Sequence, residues 1–159
     1  MNAVGEVYFY HLTDTGLERT LQMLLTRALA QRWRVEVRGT QAARMDQLDQ
    51  ALWLGAEDGF LPHGRAGGAH DALQPVILTH DGAGVSGCTC LMAVDGADVA
   101  VPEAAAAARV CILFDGHDEA AKARARDQWR ALTGAGLGAK YWAQEDGGWV
   151  MKQEKAARA

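Results

Sequence analysis

Lys122, Arg126 and Arg130 recur at i, i+4 and i+8, and Trp129 follows Arg126 by three positions. On a helix these spacings set the three cations in one stripe with the indole on the same side. Ala121, Ala125 and Leu132 form a different, apolar face that can pack on a sheet. On a chain of net charge −4, a cationic row beside a large aromatic is the most distinctive surface feature. The plainer reading is a solvated helix face with Trp129 partly in the core. The helix itself has legible ends. Asp115 or Asp118 can cap its first turn, since a short carboxylate accepts free amide hydrogens there. Gly134 and Gly136 can end it.

Other residues offer less. Gly82-Ala83-Gly84-Val85-Ser86-Gly87 matches GxGxxG after an expected strand. A dinucleotide site needs that pattern to open a helix, whose N-terminus holds the pyrophosphate. Here it opens Cys88 to Val94, which reads as a strand, so a glycine-rich turn is the better reading. Cys88 and Cys90 with His63, His70 or His80 lack zinc-ligand spacing. In a strand they share one face as small hydrophobes, and Cys111 reads as a buried, inert thiol. Ser86 is the only serine and has no GxSxG around it. Asp95, Asp98 and Asp115 lie near strand ends without a partner at a recognisable spacing. No catalytic residue and no metal ligand emerges. Trp53, with Phe60 and Pro62 just beyond it, is either a local core or a protein-binding patch, because aromatics are frequent in interface hot spots.

With 159 residues, 49% hydrophobic and 23% charged, the chain has the size and composition of one globular domain. No apolar run is long enough to span a bilayer. Three cysteines, an odd count in apolar surroundings, suit a reducing compartment, and the expected location is the cytoplasm.

Strands are expected over Val4 to Leu12, Trp33 to Arg38, Pro75 to His80, Cys88 to Val94 and Arg109 to Phe114. A helix over about Leu17 to Gln31 is expected behind Asp14 or Thr15, and another over about Gln41 to Leu54 behind Thr40. Pro102 to Ala108 reads as a short helix, and Phe60 to Gly68 as a loop. Lys140 to Ala143 and Gly148 to Met151 read as a hairpin about Asp146-Gly147. Residues 1–151 are expected to form one domain, with a polar tail over 152–159 that frays. This alternation predicts an α/β fold, a mostly parallel sheet with helices on both faces, in a Rossmann-like topology.

Leu48-Asp49-Gln50-Ala51-Leu52-Trp53, then Phe60-Leu61-Pro62-His63 and Ala66-Gly67, resemble the LDEALW…FVPH…AG signature of the chi subunit of bacterial DNA polymerase III. The helix with Lys122, Arg126, Trp129 and Arg130, followed by Gly136 and Trp142, is similar to that family's C-terminal half. The resemblance spans nearly the whole chain and is weakest over about residues 70 to 108. It implies a non-catalytic accessory subunit that binds no nucleotide and uses no cofactor. It implies pairing with the psi subunit, which tethers chi to the clamp loader. It also implies capture of the acidic C-terminal tail of single-stranded DNA-binding protein. Lys122 and Arg126 match the tail-binding positions, Trp129 stands where the family commonly has tyrosine, and Arg130 lies alongside. Trp53, Phe60 and Pro62 match the surface used for psi and, in some bacteria, for a repair helicase. On its own the chain is expected to be a monomer, with no membrane contact and no sequence-specific contact to nucleic acid.

The chemistry suits that carry-over. Arg126 can fork onto a carboxylate, Lys122 can add a point charge, and Trp129 can wall a pocket for an aromatic ring. Asp115 departs from the family, standing where an apolar residue is frequent beside the tail pocket; turned inward, it would repel an acidic tail. The rival class is a nucleotide-binding α/β enzyme using Gly82 to Gly87, which requires a helix directly after Gly87.

Overall fold

In the computed structural model, the described residues are 6–13, 16–55, 64–65, 75–80 and 88–158. The strands are β1 (Glu6–Leu12), β2 (Val35–Arg38), β3 (Gly64–Arg65), β4 (Val76–Thr79), β5 (Cys90–Ala93), β6 (Arg109–Asp115), β7 (Ala139–Glu145) and β8 (Gly148–Lys155). The helices are α1 (Leu17–Ala30), α2 (Ala42–Gly55), α3 (Val101–Ala106) and α4 (Glu119–Gly134). One sheet runs β3-β4-β2-β5-β6-β1-β7-β8. Its neighbours are parallel except β7 and β8, which are antiparallel.

Burial on both faces explains the apolar strands. Successive side chains of a strand point to opposite faces, so a buried parallel strand is apolar at nearly every position. All of β4 and β5 is buried. On one face Tyr10, Leu12, Val37, Leu78, Met92 and Leu113 meet Leu21 and Leu25 of α1 and Met45, Leu48 and Leu52 of α2. On the other, Val7, Phe9, Val110 and Ile112 meet Ala104 of α3 and Ala125 and Leu132 of α4. Each fully buried large aliphatic side chain contributes about 1.5–3 kcal/mol, so two such layers hold the sheet. The expected fold class is therefore the observed one. Among the described residues, no helix is long and apolar enough to cross a membrane.

Several local expectations need correcting. α1 has Gly16 at its N-cap with no side-chain cap, while Asp14 and Thr15 lie outside the described residues. A two-residue strand, β3, interrupts the segment read as a loop, because its backbone pairs with β4. Such a short edge pairing leaves no hydrophobic pattern to read. Residues 82–87 lie outside the described residues; the strand expected after Gly87 is present, since the next described element is β5. The polar C-terminal residues do not fray from Lys152. β8 pairs with β7 as far as Lys155. Arg158 then donates to the Thr133 and Gly134 carbonyls at 3.3 and 2.6 Å, satisfying oxygens that the end of α4 leaves open.

The turns flanking the α4 region follow their residue types. Asp146 and Gly147 both have positive φ, 51° and 79°, as a two-residue hairpin of the favoured twist requires. Gly136 has φ 96°, which closes α4 where a side chain would strain the backbone. A buried polar group was not legible in the sequence. Glu36, 5% exposed, takes Arg38 at 2.8 Å and the Thr79 hydroxyl at 2.8 Å. Arg38 also reaches Glu103 at 2.6 Å, tying β2 to α3, and holds the Glu103 carboxyl below its ordinary range.

Asp118 caps α4, accepting from the Ala120 and Ala121 amides at 2.9 and 3.2 Å. Asp115 instead accepts from the His117 amide at 2.8 Å. Asp118→Ala should therefore cost about 1 kcal/mol in urea denaturation, and Asp115→Ala less. The reverse order would show that Asp115 carries the cap.

Candidate functional site

The strands under α4 determine what its basic stripe can do. Phe9 and His11 of β1 point to the α4 face, as Phe114 of β6 and Tyr141 of β7 do. His11 is in register with Phe114, and Phe9 with Tyr141. Trp129 closes this row from above, with ring centroids 5.3 Å from Phe9 and 6.3 Å from Tyr141. Phe114 lies 5.9 Å from Tyr141 and 5.1 Å from His11. These separations are those of favourable tilted or edge-to-face pairs. His11 Nδ1 and the Tyr141 hydroxyl are 2.7 Å apart. Gly116 makes room for the imidazole, because a Cβ there would strike the His11 ring and the Leu12 carbonyl.

Two cations of α4 belong to the same side of the sheet as this aromatic row. Lys122 is half-buried, with its Nζ 2.5 Å from Glu119. Arg126 is exposed, and no hydrogen bond or ion pair engages it among the described residues. The proximity of both cations is felt by the ring groups. Burial first, then Lys122 and His117, push His11 below its ordinary value, although a backbone hydrogen bond and Asp115 oppose them. Burial raises the Tyr141 phenol while Arg126 opposes it. The arrangement offers an anion two cationic contacts and a ring an aromatic wall.

The structure brings Lys122, Arg126 and Trp129 together. Arg130 is 75% exposed and 3.7 Å from Asp127, an ion pair that contributes little at such exposure. Asp115 is exposed and engaged with the His117 amide, yet its charge is felt at His11. Trp53 belongs to α2, on the opposite side of the sheet from α4, and its side chain is outside the described residues, as are Phe60 and Pro62. Sequence reading missed His11, Phe114, Tyr141 and Glu119. The alternation of Val4 to Leu12 already set Phe9 and His11 on one face, but their partners lie on β6 and β7, at the far end of the chain.

A separate cavity of about 870 Å³ opens at the carboxyl ends of β1, β5 and β6, where doubly wound sheets usually hold ligands. Its walls do not suit a phosphate. The first amides of α4 are taken by Asp118. Arg44 is shared between Glu18 and Asp95, and Arg124 pairs with Asp98. Asp115 and Asp118 add further negative charge to the lining. Cys90 and Cys111 are buried side by side; their contact and then burial push the Cys90 thiol up, as an inert core thiol requires.

Comparison with known proteins gives one family. The family model described as DNA polymerase III chi subunit, HolC, matches residues 4–140. No curated protein matches the chain. Among solved structures, the C-terminal domain of a possible DNA helicase from Lactobacillus plantarum WCFS1 is similar at 14% identity. That likeness covers 72% of this chain and 76% of the other, with a TM-score of 0.49, too loose to bear on function.

The lowered His11 value has a definite sign. As pH falls below about 6.5, the unfolded chain takes up the proton first, and the stability contributed by neutral His11 drains away. Urea denaturation from about pH 7 to about pH 5 should show this loss, and His11→Gln should flatten that part of the profile. A profile unchanged by the substitution would contradict it.

Proposed function

The chain belongs to the DNA polymerase III chi subunit family, and we propose that α4 is the element by which it works. The family makes it an accessory subunit of the polymerase. In our reading it has no catalytic step of its own and binds two protein partners in the cytoplasm. One is the acidic C-terminal tail of single-stranded DNA-binding protein. The other is psi, through which it is tethered to the clamp loader, with a repair helicase as a second user of the psi surface.

The observation that carries the tail assignment is Arg126. The residue is exposed, makes no hydrogen bond or ion pair among the described residues, and lies three positions before Trp129 on α4, with its charge felt at Tyr141 and Glu119. A chain end presents one carboxylate at a fixed distance from its last side chain. Arg126 can receive the carboxylate with two parallel N–H donors, while Trp129 and Tyr141 receive the terminal ring. Lys122 supplies a second charge to the acidic residues upstream, once Glu119 releases it. Capture of a chain terminus by a small basic pocket is a recurrent mode of peptide recognition. A single tail then binds weakly and with salt sensitivity, and several tails on one oligomer strengthen the contact. Asp115 acts against the tail through its charge near His11, without occupying the ring row.

For the second partner, Trp53, Phe60 and Pro62 carry the assignment by their match to the family signature. α2, the helix that contains Trp53, lies across the sheet from α4.

A short acidic peptide ending in an aromatic residue with a free carboxylate should bind saturably, weaken with salt, and fail when its terminus is amidated. Arg126→Ala should weaken binding by about 1.5–3 kcal/mol while leaving the fold intact. Glu119→Gln should tighten it by about twofold, since Lys122 is then unopposed. Unchanged affinity in Arg126→Ala would end the assignment. Trp53→Ala should reduce binding of psi without lowering the melting temperature; a lower melting temperature would mark Trp53 as core instead.

A further inference from the structure

The sheet face opposite α4 carries a second cavity, of about 390 Å³, that neither the tail nor the psi assignment uses. It opens beside α1, between β1, β6 and β7. Tyr8, Tyr10, Trp33, Trp142 and Trp149 line it. Tyr10 and Trp149 meet edge to face at 5.3 Å, and Tyr8 and Trp142 are tilted at 6.4 Å. The Arg109 guanidinium lies 4.0 Å over the Tyr8 ring and 5.4 Å from that of Trp33, and Arg27 adds a second cation to the lining. No aspartate or glutamate is among the described lining residues.

Two donors there are unpaired. Arg109 Nε and Trp142 Nε1 are both buried, and neither has a hydrogen-bond acceptor among the described residues. Buried donors are nearly always satisfied, so two on residues of one cavity, both just beneath its present surface, ask for an acceptor that reaches them as the wall adjusts around a ligand. The rest of the wall says what that acceptor is attached to. Two guanidinium groups with no carboxylate among the described lining residues call for an anion, and the aromatic rings call for a flat apolar body. The volume lies at the lower end of the ligand-pocket range, about 300–1,000 Å³, which suits one ring with a short acid arm better than a whole nucleotide.

We propose that this cavity is a binding site for a small aromatic carboxylic acid. The ring lies among Tyr8, Tyr10, Trp142 and Trp149, and the carboxylate accepts from Arg109 and Trp142. The site is independent of α4, since Arg126 stands on the other face of the sheet. Tail capture and aromatic-acid binding can therefore succeed or fail separately.

The test titrates the full chain with 3-phenylpropionate while following the tryptophan indole N–H signals in a proton–nitrogen spectrum. Trp142→Phe and Trp149→Phe assign the two signals that matter. The Trp142 signal should move downfield and saturate as its N–H gains an acceptor. Arg109→Gln should weaken binding about tenfold or more, and 3-phenylpropionamide should bind weaker than the acid by a similar factor. Trp142→Phe keeps the wall but loses one donor, so its binding, followed at the Trp149 signal, should weaken less than in Arg109→Gln; it also keeps the test open if Arg109→Gln fails to fold. Arg126→Ala should leave the binding unchanged. No saturable movement of the Trp142 signal would overturn the proposal, as would equal binding of acid and amide. Loss of binding in Arg126→Ala would move the ligand to α4. Tighter binding of thymidine 5′-monophosphate at the same signal would assign the cavity to nucleotides instead.

Discussion

Strand β1 lies between β6 and β7 and is covered on both faces, and that double burial fixes the rest of the molecule. Its odd-numbered residues Val7, Phe9 and His11 face α4, and its even-numbered residues Tyr8, Tyr10 and Leu12 face α1. A slip of one residue would exchange the two sets and bury the wrong side chains on both faces at once. The register is therefore held by two hydrophobic layers together. It sets Phe9 under Trp129 and His11 against Phe114 and Tyr141, and it sets Tyr8 and Tyr10 in the aromatic cavity on the far side. One constraint builds both surfaces.

Charge pairing then separates the cations that serve the fold from those that remain available. Arg38 is committed to Glu36 and Glu103, Arg44 to Glu18 and Asp95, and Arg124 to Asp98. These pairs tie β2 to α3 and occupy the arginines beside the cavity at the strand ends, where doubly wound sheets usually seat a ligand. Arg126 alone of the α4 arginines has no ion pair among the described residues. An exposed arginine is ordinary on its own. What distinguishes this one is the aromatic row of Phe9, His11, Phe114 and Tyr141 on the same side of the sheet, closed by Trp129 of α4.

Much of this is legible in the sequence where the signal is local. The α/β class follows from alternating patterns, Asp118 is one of two residues able to cap α4, and Asp146-Gly147 marks the hairpin. The resemblance to the chi family is borne out by the match over residues 4–140. The unreadable parts depend on distant pairings. His11 meets Tyr141 across 130 positions, Arg158 returns to the end of α4, and Glu36 finds Arg38 and Glu103 only once β2 and α3 pack. No propensity encodes those meetings. The polar tail reads as fraying because its composition is that of a solvated segment, whereas pairing with β7 gives its backbone a partner.

The most direct test is a crystal structure of the chain with an acidic peptide that ends in an aromatic residue and a free carboxylate. The account predicts the terminal carboxylate within hydrogen-bond distance of the Arg126 guanidinium and the terminal ring against Trp129. A peptide seated at the strand ends or in the α1-side aromatic cavity, with Arg126 left in solvent, would contradict it.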